Sequence, residues 1–194
     1  MSTLTPAVTP DDPNAPPPDD ATPPADDEGG PPPDLNPPGP VPEVQYDLSA
    51  LPKPVARIRE QIIAAAATGD LEKLRPIFEA NDGPPLLGPN DSGDPIAYLK
   101  SESGDEGGRE ILAILTEVLE AGFVHVDVGT PQEIYVWPYF ARVPIDKLTP
   151  PQLVELFKLV YAGDYVDMLA NGQYTFFRAG ITPDGVWRYF VLDE

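Results

Sequence analysis

Apolar residues recur at helical spacing in three segments of the chain, and each segment starts or ends at a Pro or Gly. The spacing predicts helices over residues 54–68, 108–121 and 150–161. The helix over 108–121 has the widest apolar face, so we expect it to be the central buried helix. In the helix over 150–161, the residues predicted to face the core are Leu153, Leu156, Phe157 and Val160.

Shorter helices are predicted from capping residues. Asp70 precedes a helix in which Pro76 predicts a kink or an early stop. A short helix is expected over residues 96–100, after Asp94-Pro95, because Pro suits the first turn of a helix. Asp164 caps a last helix that runs to about residue 170.

Strict alternation of side chains predicts strands. Residues 123–128 and 133–137 alternate and form a first hairpin, and residues 173–181 and 186–192 flank strong turn residues and form a second. Helices do not alternate regularly with single strands, which argues against a parallel sheet. The sequence therefore predicts an α+β fold, with four to five helices packed on one side of a small antiparallel sheet of about four strands.

The beginning of the chain differs sharply in composition from the rest. Residues 1–42 hold 15 of the 28 prolines and eight of the 32 acidic residues, with no basic or aromatic residue. A segment with so few apolar side chains cannot offset the entropy cost of ordering. We therefore expect a disordered, acidic, Pro-rich tail over residues 1–45, acting as a tether, and a single compact domain over residues 46–194.

The charge of the chain limits its partners. The formal net charge is −20 at pH 7, whereas a nucleic-acid backbone or an anionic membrane surface requires clustered Lys and Arg. No apolar stretch reaches the length of a membrane span, so no integral membrane segment is predicted. A partner protein or a small neutral ligand fits this composition, and so does a basic protein or a cation.

The motifs of common catalytic sites and cofactor sites do not occur in the sequence, and the chain has no cysteine. We therefore predict no cofactor and no catalytic residue. Asp91, Asp94, Asp105 and Glu106 lie in Gly-rich loops, which suits calcium, but their spacing matches no known calcium loop. Capping of the helix over 108–121 by Asp105 and Glu106 is the favoured interpretation, and no metal site is predicted.

One catalytic alternative rests on carboxylates. Asp127 and Glu133 face each other across the first predicted hairpin, close to the single histidine, His125. Two carboxylates can carry out glycoside hydrolysis if one of them has a raised pKa and both face one pocket. A histidine half-buried on a sheet face is the simpler interpretation of His125.

An aromatic row gives the main prediction for binding. Tyr135, Trp137 and Tyr139 share one parity, opposite the aliphatic Ile134 and Val136, and exposed aromatic rows bind sugars, peptides or proteins. The opposite interpretation, in which the aromatic residues are core, stays open. The predicted function is a non-catalytic binding or accessory domain. Its predicted ligand-binding residues are Tyr135, Trp137, Tyr139, His125, Arg178 and Arg188.

Five segments of the domain also carry a family resemblance. They are Gly-Arg-Glu-Ile-Leu-Ala-Ile-Leu over 108–115, Ala-Gly-Phe-Val-His-Val-Asp over 121–127, Gly-Thr-Pro-Gln-Glu over 129–133, Tyr-Val-Trp-Pro-Tyr-Phe-Ala over 135–141 and Leu-Thr-Pro-Pro-Gln over 148–152. Together they resemble a family of uncharacterised alphaproteobacterial proteins, often predicted to be exported, over about residues 50–192. The resemblance implies a bacterial envelope setting, periplasmic or secreted, and no catalytic residues. Residues 1–25 show neither a basic start nor an apolar run, so no signal peptide is expected in the chain as given, and the cytoplasm is the alternative.

Overall fold

The computed structural model describes residues 40–81, 83–89 and 93–192. The predicted tail lies outside these residues except for positions 40–45, and so does Asp91. The described residues form an α+β fold with six α-helices and a four-stranded antiparallel sheet, which confirms the predicted fold class. Within this part of the chain, no helix has both the length and the apolar character needed to cross a membrane.

Four helices precede the sheet. They are α1 (Lys53–Ala66), α2 (Arg75–Ala80), α3 (Pro95–Ser101) and α4 (Arg109–Glu120). A separate 3-10 turn, Leu71–Leu74, precedes α2. Pro76 lies in the first turn of α2, where a backbone N–H would have no partner within the helix, so the missing N–H costs no hydrogen bond. The interruption predicted at Pro76 is therefore observed as the start of a new helix.

The sheet has the strands β1 (Val124–Val126), β2 (Ile134–Trp137), β3 (Phe177–Ile181) and β4 (Trp187–Leu192). Their spatial order is β1-β2-β3-β4, and each pair is antiparallel. Both predicted hairpins are therefore confirmed. Two further helices, α5 (Pro150–Leu156) and α6 (Ala162–Asn171), lie between β2 and β3 in the chain.

Backbone from outside the strands pairs with each edge of the sheet at one position. Beside β1, Gln45 and Phe123 exchange two hydrogen bonds of 2.8 and 2.9 Å. Beside β4, the N–H of Leu86 donates to the carbonyl of Arg188, and the carbonyl of Leu86 accepts from the N–H of Phe190, both at 2.9 Å. These bonds pair edge groups that would otherwise face water.

The sheet has a hydrophobic cluster on each face. One cluster joins Tyr135 and Trp137 to α1 and α4, and the other joins Ile134 and Val136 to residues of α5 and α6, Met168 among them. The expectation of helices on one side only is therefore wrong. Its physical reason is that all four residues of β2 are apolar or aromatic and all four are buried, so both faces of the strand require cover.

Helix α5 is shorter than predicted. It ends at Leu156, and the following turns are held by bonds from Lys158 N to the Glu155 carbonyl and from Leu159 N to the Leu156 carbonyl. The N–H of Phe157 still donates to the Leu153 carbonyl, so Phe157 follows the buried Leu156 by about 100° around the helix axis. This position lies beside the exposed Val154, and Phe157, predicted as core, has 45% of its surface exposed.

Candidate functional site

The aromatic row predicted as a binding surface is buried. Tyr135, Trp137 and Tyr139 all belong to the core, so the prediction that they form an exposed row is wrong. Tyr139 also leaves the parity of the strand, because a 3-10 helix begins there directly after Pro138. It packs in the cluster on the opposite face of the sheet from Tyr135 and Trp137. The row is thus divided between two core layers.

The remaining predicted ligand-binding residues do not assemble a shared surface either. The guanidinium of Arg178 is half-buried and lies 5.8 Å from the ring centroid of Tyr189, while Arg188 is exposed on β4. His125 stacks on Tyr135, with centroids 4.1 Å apart and ring planes 6° from parallel. The structure therefore brings His125 and Tyr135 together but does not gather the predicted residues into one site.

His125 and Glu133 form a close pair at the first hairpin. His125 Nε2 lies 2.8 Å from Glu133 Oε1, and Glu133 Oε2 accepts a hydrogen bond from the N–H of Gly129, also at 2.8 Å. The Gly129 N–H and then His125 lower the pKa of Glu133. A catalytic acid would need a raised pKa, so this geometry favours a clasp that holds the turn.

Other acidic residues of the loops have local partners. Asp94 accepts hydrogen bonds from Arg75, and Asp105 caps α4 by accepting from the N–H of Glu110 at 3.0 Å. The capping predicted for Asp105 is therefore confirmed. Among the residues that the structure describes, no group of three or more potential metal ligands is placed to hold an ion.

Glu155 joins three parts of the domain. Its Oε2 accepts hydrogen bonds from the hydroxyls of Tyr46 and Tyr139 at 2.9 and 3.0 Å, and its Oε1 accepts from the N–H of Gly122 at 3.0 Å. Burial raises the pKa of Tyr139, and the neighbouring Tyr46 and Glu155 raise it further. Both phenols therefore act as neutral donors, and the cluster is a structural joint.

A cleft of about 580 Å³ opens between α4, the turns after α5, helix α6 and the residues before β3. We call it the α6 cleft. Its apolar lining includes Ile114, Met168 and Phe176, and two aromatic side chains on it remain accessible: Phe157 is 45% exposed and Tyr161 is 86% exposed.

Charge is distributed unevenly around the α6 cleft. The lining includes three acidic residues, Glu110, Asp164 and Asp167, and one basic residue, Lys158. The Glu110 carboxylate also accepts a hydrogen bond from the N–H of Gly104. The Asp164 carboxylate is held in place because its Oδ2 accepts a hydrogen bond from the N–H of Tyr161 at 2.8 Å. Aromatic faces and carboxylates together suit a ligand that is partly apolar and partly cationic.

Sequence reasoning missed the α6 cleft because it placed Phe157 in the core. A usable signal existed in Gly163 and Asp164, which lie in the first turn of α6 and so indicate that a new helix starts close to Tyr161. Aromatic residues beside such a turn, as Phe157 and Tyr161 are, stand at a corner of the fold where exposure is common.

Comparisons of the chain with protein-family models, with curated proteins and with solved structures find no match. The family resemblance of the sequence segments therefore stays a prediction.

Proposed function

We propose that this protein is a non-catalytic binding domain and that its ligand occupies the α6 cleft. The observation that carries the proposal is the exposure of Phe157 and Tyr161 on a cleft with an apolar floor. Its volume falls within the roughly 300–1,000 Å³ of ordinary ligand sites. Aromatic side chains supply a large contact area while losing little rotational entropy, which favours them in binding surfaces. The envelope setting implied by the family resemblance belongs to the same proposal.

Packing against neighbouring side chains holds the lining of the α6 cleft in place. The ring of Phe157 packs edge-on against Tyr165, with centroids 5.7 Å apart and planes at 86°. Met168, the residue by which α6 enters the core, is fully buried. A lining that is held in this way costs little ordering when a ligand arrives.

A direct test uses an uncharged aromatic probe, N-acetyltryptophanamide, added to the full-length chain and followed by amide NMR. We expect the amide signals of cleft residues, such as Ile114 and Met168, to shift. The double substitution Phe157→Ser with Tyr161→Ser should remove these shifts, because it removes the exposed rings.

The matched control is Val166→Ser, which changes an exposed apolar residue of α6 outside the cleft lining. This variant should bind the probe as the unchanged chain does. Thermal unfolding shows whether the variants are folded. Shifts that are scattered over the surface, or that persist in the double variant, would overturn the proposal.

A further inference from the structure

We infer that the occupant of the α6 cleft is a basic segment of a partner protein. It inserts an apolar or aromatic side chain between Phe157 and Tyr161 and places Arg or Lys side chains against the acidic part of the lining. The inference rests on the proposed function of the cleft and adds the chemistry of its ligand.

Charge complementarity is the first argument. Asp164 and Asp167 are three residues apart on α6, so they are neighbours on the helix surface, and Glu110 approaches from α4. Three carboxylates against the single ammonium of Lys158 produce a negative field over an apolar floor. Complementary charge selects partners and speeds their encounter, so an Arg- or Lys-bearing partner is favoured over a neutral one.

The same charges disfavour an occupant from this chain itself. Residues 1–42 carry eight acidic residues and no basic one, so this segment would be repelled by Glu110, Asp164 and Asp167. A second copy of the chain brings a net charge of −20 to the same field. The net repulsion therefore favours a source of positive charge other than this chain.

The form of the surface favours a polypeptide segment over a small cation. Tyr161 projects with 86% of its surface exposed, whereas a small-molecule site encloses about 70–90% of its ligand. Exposed apolar surface also continues out of the cleft along α5, because Val154 is 66% exposed and precedes Phe157 by three residues. A segment lying along this line covers Val154, Phe157 and Tyr161 together.

The experiment compares three peptides by calorimetry with the full-length chain. The first is a short amphipathic peptide of Trp, Leu and Arg, and the other two replace every Arg by Gln or by Glu. At low salt the Arg peptide should bind about three- to tenfold more tightly than the Gln peptide, and the Glu peptide should bind most weakly. The advantage of Arg over Gln should shrink as salt is added.

Substitutions in the chain test which of its residues produce the preference for the Arg peptide. Asp167→Asn should lower the affinity for the Arg peptide about twofold and leave the affinity for the Gln peptide unchanged. Lys158→Gln should raise the affinity for the Arg peptide. Asp146→Asn, an exposed carboxylate outside the cleft lining, is the matched control and should change neither. Val154→Ser should weaken both peptides without affecting N-acetyltryptophanamide, since only a segment reaches that residue.

The outcomes separate this inference from the proposed function. If N-acetyltryptophanamide occupies the cleft but the Arg and Gln peptides bind equally, the inference fails and the binding function stands. If Val154→Ser leaves the Arg peptide unaffected while Asp167→Asn weakens it, the ligand is a compact cation and the inference again fails. If neither the peptides nor the uncharged probe binds, both proposals fall.

Discussion

The hydroxyl of Tyr46 donates a hydrogen bond to Oε2 of Glu155 at 2.9 Å, although 109 residues separate the two in the chain. The same oxygen accepts from Tyr139, whose ring meets that of Tyr46 edge-on at 6.1 Å between centroids. One carboxylate thus ties the start of the domain and the segment after β2 to α5. Its contribution to stability can be measured one bond at a time.

The first prediction removes one hydroxyl of this joint. Tyr46→Phe keeps the ring on Tyr139 and loses the bond to Glu155, so the free energy of unfolding should fall by about 0.5–1.5 kcal/mol in urea titrations. Tyr161→Phe is the control, because that side chain is 86% exposed, and it should stay within about 0.5 kcal/mol of the unchanged chain. Equal effects of the two substitutions would show that the bond adds nothing.

A second prediction concerns the close approach of backbone and rings at Gly122. A Cβ atom there would lie 2.7 Å from Cε1 of Tyr46 and 2.9 Å from Cδ1 of Tyr139. Gly122→Ala should therefore destabilise the domain by about 1–3 kcal/mol, measured by urea unfolding.

The same substitution at Gly163 should change the free energy of unfolding in the opposite direction. Gly163 lies inside α6, and a Cβ built there meets no atom within 4 Å. Alanine is the better helix former, so Gly163→Ala should stabilise by up to about 1 kcal/mol. If Gly122→Ala leaves the free energy of unfolding unchanged, the two tyrosine rings beside Gly122 move aside at no energetic cost.

The third prediction tests whether Trp137 is a core residue. It is fully buried, so Trp137→Ala should cost about 3–5 kcal/mol of unfolding free energy. Its indole N–H meets no acceptor among the described residues, so Trp137→Phe breaks no hydrogen bond and should cost about 1–2 kcal/mol. Unchanged stability of Trp137→Ala, with loss of ligand binding, would restore the interpretation of Trp137 as a surface residue.

A fourth prediction uses pH. The N–H of Glu110 and the hydroxyl of Ser103 are the main donors to Asp105, and they lower its pKa to about 2. A folded-state pKa below the ordinary value of about 3.9 means that the stabilisation is present above pH 4 and is lost as the pH falls toward 2.

The comparison of the unchanged chain with Asp105→Asn isolates this effect. The difference in unfolding free energy between the two should be constant from about pH 5 to 7 and should shrink below about pH 4. Glu106→Gln, at the neighbouring exposed carboxylate, is the control. A difference that persists unchanged down to pH 2 would show that Asp105 does not act through its charge.

Local spacing was sufficient to predict much of the fold. The periodic apolar residues of α4 and the turn residues between β3 and β4 determine those elements within a short window of sequence. The cover on both faces of the sheet could also have been predicted, because β2 reads Ile-Tyr-Val-Trp without a polar residue. Such a continuous run is typical of a strand buried on both sides.

The candidate site could not be predicted from local spacing in the sequence. Phe157 lies at the border of the apolar face of α5, and successive residues are about 100° apart around a helix axis, so the spacing alone does not show whether Phe157 or only Leu156 faces the core. The lining also combines Glu110 of α4 with Asp167 of α6, residues that only the tertiary packing brings together. Local sequence patterns do not indicate which distant residues become neighbours in the folded chain.

Gln45 pairs with Phe123, directly before β1, and Leu86 pairs with Tyr189 of β4, so each outer edge of the sheet meets the protein's own backbone at one position. Growth of a sheet from molecule to molecule, the first step toward fibrils, begins at an uncovered outer strand. Here each outer edge carries one such pairing from within the chain. Loss of the segment around Gln45, by cleavage or truncation, would remove the pairing beside β1 and make that edge easier for a second chain to pair with.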